Sequence, residues 1–398
     1  VTRAAGLLAV CLALLCPPAV GAADGEGAAL KASACAAIAR DVDAAAKSGP
    51  VFVASYPTAD VPALQGTAFV YDNALAVIAL IACGDTGRAA RVGAALRIAA
   101  GHDRFWHDGR IRNAYRTGPV SADVAPALPG WWDTAAARWD EDPYQVGTAT
   151  GNVAWAALAL IALDRARPDP ADRAAASGLM RWVARTTAVA MPVAGYAGGF
   201  YGEEPHPQRL AWESTEHNVD VAAAFGLLGD AAPGFGADAA RARGFVVAMW
   251  NKDGRFWLGT DAEGTAINRQ GAAIDAELWP LIGISDPPAA WQAVRAWVRA
   301  HLRIDGGYGF HDHPDGIWTE GTAQAALVLH EPGVFAVLKA AEAPDGLLYA
   351  SPQARIHTGL ALSPRSTTDD FYYFHLPHLG ATAWAVLAAT GTNPFAPQ

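Results

Sequence analysis

Six segments of this chain are apolar on nearly every side: "YDNALAVIALIACGD", "GNVAWAALALIALD", "STEHNVDVAAAFGLLGD", "AIDAELWPLIGIS", "WTEGTAQAALVLH" and "HLGATAWAVLAATG". A helix with no polar face must be enclosed by other elements. Five further segments alternate with them: "TGRAARVGAALRIAAG", "PADRAAASGLMRWVARTT", "GADAARARGFVVAMW", "PAAWQAVRAWVRAHL" and "PGVFAVLKAAEA". Each carries Arg or Lys along one face and reads as an outer helix with a wet side. The N-terminal "LKASACAAIARDVDAAAKSG" supplies a sixth outer helix, beside which the last inner helix closes the ring. Repetition of helical pairs at roughly fifty to eighty residues is an architectural signal. The expected fold is all-α, an (α/α)6 toroid of six helical hairpins.

The loops after the outer helices also resemble one another, as in "HDGRIRNAYRTG", "KDGRFWLGTDAEG" and "DGGYGFHDHPDG". Asp-Gly followed by alternating aromatic or branched residues predicts short β-hairpins. They lead into the inner-helix starts, so one face of the ring should hold both the loops and the polar residues.

Residues 1–23 read as an export signal: Arg3, an apolar run, Pro-Pro, and small residues suited to cleavage after Ala22 or Ala23. The expectation is a periplasmic or secreted protein, with residues 24–398 as one toroidal domain, monomeric and without stable membrane insertion. Once Cys11 and Cys16 have left with the signal, Cys35 and Cys83 remain, at one end of the first hairpin. A bridge and two separate buried thiols both fit. The formal net charge of −10, with no Lys/Arg-rich run, argues against a nucleic-acid partner.

Acids recur at the inner-helix starts, in a chain where only 17% of residues are charged. Asp72 follows Tyr71; Asn152 and Trp155 open the second inner helix; Glu213, Glu216, His217, Asn218 and Asp220 open the third. Asp275 begins the fourth, Trp318 and Glu320 the fifth, and His378 the sixth. Ser214 or Thr215 can cap the third helix, leaving Glu216 and Asp220 as additional acids four residues apart on one face, with Glu213 close to the same stripe. Such a stripe costs repulsion and desolvation that capping does not require. Two carboxyls facing a cleft can hydrolyse a glycoside, one donating a proton to the departing oxygen while the other activates water or attacks the sugar. Glu216 and Glu320 lead as that pair, with Asp72, Asp220 and Asp275 as substitutes. Trp131, Trp132, Trp212, Trp318, Tyr372 and Tyr373 offer flat faces for sugar rings. A carbohydrate substrate is expected, with no cofactor; "HDHPD" at 311–315 lacks helical ligand spacing and reads as a solvated turn rather than a metal site.

With "YDNALAVIAL", "GNVAWAALAL", "STEHNVD", "DAELW", "WTEGTAQAAL" and "GATAWAVLAATGTNPF" in this order, the mature chain resembles the six-hairpin glycosidase superfamily. The resemblance implies a carbohydrate-active enzyme with acids at the barrel mouth. Two alternatives share the toroid. A polysaccharide lyase would use a Tyr or His base, for which His217, Tyr201, Tyr372 and His378 are available. A non-catalytic glycan-binding scaffold would keep the aromatics without needing an acid pair.

Overall fold

In a computed structural model, which describes residues 20–229, 233–331, 333–364, 366, 368 and 371–396, every one of the six apolar segments is helical. The inner helices are α2 (Val70–Ala82), α4 (Thr150–Ala166), α6 (Thr215–Leu228), the broken pair α8 (Ile274–Leu278) and α9 (Pro280–Gly283), α11 (Thr319–Leu329) and α13 (Leu379–Thr390). Each packs on the next, and α13 packs back on α2, closing the ring. The outer helices are α1 (Val20–Ala45), α3 (Thr86–Gly101), α5 (Pro170–Thr186), α7 (Phe235–Met249), α10 (Val294–His301) and α12 (Val334–Ala340). The molecule has the (α/α)6 toroid fold.

Ala-rich inner faces let helices approach closely. A Cβ on Gly93 of α3 would lie 2.5 Å from Leu163 Cδ2 of α4, so a larger residue there would force the leucine to shift. All of α11 is buried, as is α13 from Leu379 to Ala388. The fourth inner helix departs from its expected continuity: Pro280 lacks an N–H and cannot extend α8, so the segment is split after Trp279. The outer helix α1 begins at Val20, ahead of the expected start and across the expected cleavage point after Ala22 or Ala23. The rest of the expected signal, residues 1–19, lies outside the described residues. A disulfide joins Cys35 of α1 to Cys83 at the end of α2, with Cα atoms 5.9 Å apart. Among the described residues no helix is long and apolar enough to cross a membrane.

The rim strands are less local than expected. Arg303–Ile304 with Gly307–Tyr308 is a tight hairpin, but Thr67–Phe69 pairs with Ala114–Arg116, and Leu348–Tyr349 with Pro377–His378. Each of the latter pairs ties a segment leading into an inner helix to a loop after an outer helix. The largest sheet pairs Gly195–Tyr201 with Gln208–Glu213, and also with Thr148–Ala149. These ladders fix where the inner helices begin.

The toroid's centre is closed by aromatic rings. Trp155, Trp279 and Trp384 meet edge-on or stacked at centroid distances of 5.4, 6.1 and 5.9 Å, and Phe395 from the C-terminal segment adds contacts of 5.1 and 5.3 Å to Trp155 and Trp279. Trp155, part of this plug, also lines a cavity at the strand-bearing end.

Candidate active site

That cavity, about 330 Å³, is lined by Asp72, Glu216, Asp220, Asp275 and Glu320, with Asn152, Trp155, His217 and His378. Four of the acids lie in the first turns of α2, α6, α8 and α11, where free N–H groups favour negative charge. None of the four is its helix's N-cap residue, those being Phe69, Ser214, Ala273 and Trp318. In α6 the cap is Ser214, whose Oγ accepts from His217 N at 3.2 Å, and at α13 His378 Nδ1 accepts from Ala381 N at 3.3 Å.

The acids form two groups on facing arcs. In the first, Tyr71 OH donates to Glu320 Oε1 at 2.5 Å and receives the indole N–H of Trp384 at 2.9 Å. Because His378 Nδ1 accepts a backbone N–H, Nε2 carries the hydrogen that points at Asp72 Oδ2, 3.3 Å away. Tyr56 stacks on His378 at 4.4 Å. Gly380 is the floor of this group: a Cβ there would lie 2.5 Å from Asp72 Oδ1 and 3.2 Å from Glu320 Oε2.

The second group is Glu216, Asp275 and Asp220, with His217 beside them. A Cβ on Gly151 would lie 2.8 Å from His217 Nε2 and 3.0 Å from Asp220 Oδ2, so this glycine too makes room for functional groups. Both oxygens of Asp220, Oε2 of Glu320 and Nδ1 of His217 are buried without a hydrogen-bond partner.

Burial dominates the electrostatics. It raises Glu320 well above the usual carboxylate range, opposed by the Tyr71 hydrogen bond and reinforced by Asp72 and Asp275. Glu216 is raised by burial and by the charges of Asp275 and Glu320, and Asp220 by burial, Glu216 and Asp275. Asp275 is pushed only to about 6, because backbone N–H groups, including Ala276 N at 2.7 Å, offset its burial. Burial pushes His217 down to about 4, so its imidazole is neutral at pH 7. Asp275 is therefore the easier carboxyl to ionise in its pair with Glu216.

Of the other residues singled out from the sequence, Tyr71, Trp318, Tyr372 and Tyr373 line the cavity. Trp131 and Trp132 do not: they sit on the hairpin Trp131–Asp133/Arg138–Asp140, where Trp132 is 58% exposed. Trp212 backs His217 from outside, with ring centroids 5.3 Å apart. Asn218 is structural, accepting from Tyr196 N at 3.0 Å and donating to Tyr196 O and Ser214 O. Glu213 ends a strand instead of joining the stripe of Glu216. It turns away toward Gly195 and Phe245, and burial pushes it up to about 7. Tyr56, Tyr144 and Phe310 line the cavity without having been foreseen. Tyr144 could have been found from "EDPYQVGT", immediately before an inner-helix start; Tyr56 carried no such signal. Among the described residues no group of three His, Cys, Asp or Glu side chains is placed to hold a metal ion.

Two variants test this geometry. Tyr71→Phe removes the donor on Glu320 and the acceptor for Trp384 while keeping the ring. A loss of about 10-fold or more in kcat at similar KM is expected, since one hydrogen bond to a charged or titrating group is worth about 1.5–3 kcal/mol. Equal kcat would show that Tyr71 does not hold Glu320. Glu277, buried outside the cavity, accepts from Phe256 N at 2.9 Å and is pushed up to about 8 by burial. Its folded pKa lies above the unfolded value, so its stabilising contribution is complete at low pH and is lost as pH rises through about 8. Glu277→Gln keeps the acceptor and removes the ionisation. Its Tm relative to wild type should therefore rise between pH 5 and pH 9; a constant difference would refute this.

No family sequence model matches the chain, and no curated protein matches it significantly by sequence. Structure carries the likeness: the (α/α)6 toroid is a fold this chain shares with solved glycosidases and sugar epimerases. A glycosidase solved in complex with glucose aligns with a TM-score of 0.62 at 15% identity, over 93% of this chain and 98% of its own. Cellobiose 2-epimerase from Spirochaeta thermophila aligns with a TM-score of 0.64 at 12% identity, over 95% and 99%. A GH76 alpha-mannanase from Bacteroides thetaiotaomicron gives a TM-score of 0.55 at 10% identity, over 92% and 96%.

Proposed function

We propose that this protein is a carbohydrate-active enzyme, and specifically a glycoside hydrolase exported by way of residues 1–23. The observation that carries the reading is Glu320. Tyr71 donates to one of its oxygens, the other is buried, unbonded and beside the cavity, and burial raises the group well above the usual carboxylate range, which favours its protonated form. That is the state a general acid needs. Glu320 gives its proton to the glycosidic oxygen as the C–O bond breaks. Glu216 and Asp275 act as one unit carrying a single charge, and that carboxylate takes a proton from the attacking water or bonds to the anomeric carbon. Trp318 and Tyr373, whose rings are 5.2 Å apart at the cavity wall, supply apolar faces for a sugar ring. Monomeric action by residues 24–398 as one domain belongs to the same proposal.

A second reading, sugar epimerisation, is favoured by His217, a neutral imidazole with an unbonded Nδ1 at the cavity. Such a base could take a proton from carbon next to the carbonyl of an opened sugar. Incubating the purified protein with neutral and charged oligo- and polysaccharides in deuterated water separates the readings. New reducing ends, absent with Glu320→Gln, support hydrolysis. Deuterium at carbon without cleavage establishes epimerisation, unsaturated products a lyase, and binding without turnover a scaffold.

A further inference from the structure

We propose that the cavity takes a glycoside whose sugar bears a free, protonated amine, as in a 2-amino-2-deoxyhexose, and that Asp220 holds the ammonium group. The proposal rests on the hydrolase reading of the same site and names its substrate class. Hydrolysis employs Glu320 and the Glu216–Asp275 unit, and Asp72 is engaged by His378. Asp220 has no such employment. It is fully buried and lines the cavity with neither oxygen in a well-formed hydrogen bond; the indole N–H of Trp155 faces it and only partly offsets its burial.

Its surroundings provide no counter-charge. Glu216, one turn earlier on α6, and Asp275 on α8 are like-charged neighbours, and His217 on the other side is neutral. From α4 come Gly151, Asn152 and Trp155, none of them ionisable. Among the described residues lining the cavity there is no Lys or Arg. Arginine meets two other buried carboxylates of the chain, Asp103 by Arg112 at 2.5 Å and Asp172 by Arg97 at 2.5 Å, whereas Glu213 outside the cavity is, like Asp220, buried with both oxygens unbonded. A buried carboxyl without a cation is costly and shifts toward its protonated form.

A ligand ammonium supplies what the fold omits. It offers three N–H donors and one positive charge, which ionise Asp220 and form charge-assisted hydrogen bonds. A neutral hydroxyl offers no charge, and a uronate adds a further negative group to five acids. The cavity therefore discriminates by sign.

The test is binding, measured on the cleavage-impaired Glu320→Gln protein by calorimetry. The probes are the β-1,4 disaccharide of glucosamine, its N-acetylated form, cellobiose and cellobiouronic acid. The glucosamine disaccharide should bind at least tenfold more tightly than cellobiose, and the uronic acid more weakly than either. Asp220→Asn should abolish the preference, read as the ratio of glucosamine-disaccharide to cellobiose affinity within that variant, while Asp220→Glu retains part of it; circular dichroism checks the fold of each. Equal or weaker binding of the glucosamine disaccharide by a folded protein overturns the proposal, as does a preference that survives Asp220→Asn. Cleavage is scored separately with wild type. Hydrolysis of neutral sugars alone would sink the ammonium site and keep the hydrolase, whereas ammonium preference without any cleavage would keep the site and sink the hydrolase.

Discussion

Glu320→Gln is expected to lower kcat on a natural glycoside by a factor of about 10²–10⁴, the usual worth of a positioned general acid. The substitution is nearly isosteric, and the amide can still accept from Tyr71, so the protein should remain folded. The loss should depend on the leaving group. An aryl glycoside whose phenolate departs unaided should be cleaved within about tenfold of wild type, since the missing proton is no longer required. Equal losses on both substrates would remove Glu320 from the role of acid and assign it to positioning or to attack.

Asp275→Asn should have the other large effect, and its signature lies in the pH profile. In the wild type, kcat/KM should rise with pH through about 6, because Asp275 has to lose its proton before the Glu216–Asp275 unit can accept one from water or attack carbon. At higher pH the rate should fall as Glu320, held well above the ordinary carboxylate range, surrenders the proton it donates. Asp275→Asn removes the lower limb near pH 6 and should cost about 10²-fold or more in kcat. Glu216 would remain, its pKa relieved of the Asp275 charge but still raised by burial. A profile from pH 4.5 to 9 decides the matter: an unmoved limb at pH 6 in the variant would place the base elsewhere.

The ring of helices was legible because its signal repeats. Each of "ALAVIAL", "AWAALALIAL" and "AQAALVL" lacks a polar face, and six such segments alternating with Arg-bearing ones leave little choice of architecture. The five acids at the cavity were legible for a related reason: charge at the start of a buried helix is expensive unless it is used. What eluded the sequence depends on where a backbone turns. Glu213 lies three residues before Glu216, a helical spacing, but it ends a strand and so faces away from the stripe. Trp131 and Trp132 looked suited to sugars by composition, yet a cross-strand pairing with Asp140 and Trp139 holds them on a hairpin outside the cavity. Tyr56 reaches the site because α13 brings His378 against it, a contact between residues far apart in the chain. Which carboxyl meets a backbone N–H and which a tyrosine was equally hidden, since both contacts depend on the folded backbone.

The seam of the ring has a consequence for how the protein comes into being. Asp72 and His378 meet across 306 positions, and Glu320 meets Tyr71 across 249, so one acid group is assembled from the two ends of the chain. Phe395 must then dock under Trp155 and Trp279 to complete the floor. Until these late elements arrive, an emerging chain holds carboxyls that face water and titrate as ordinary surface acids. The raised pKa of Glu320 is thus a certificate of completion, present only when the circle is closed.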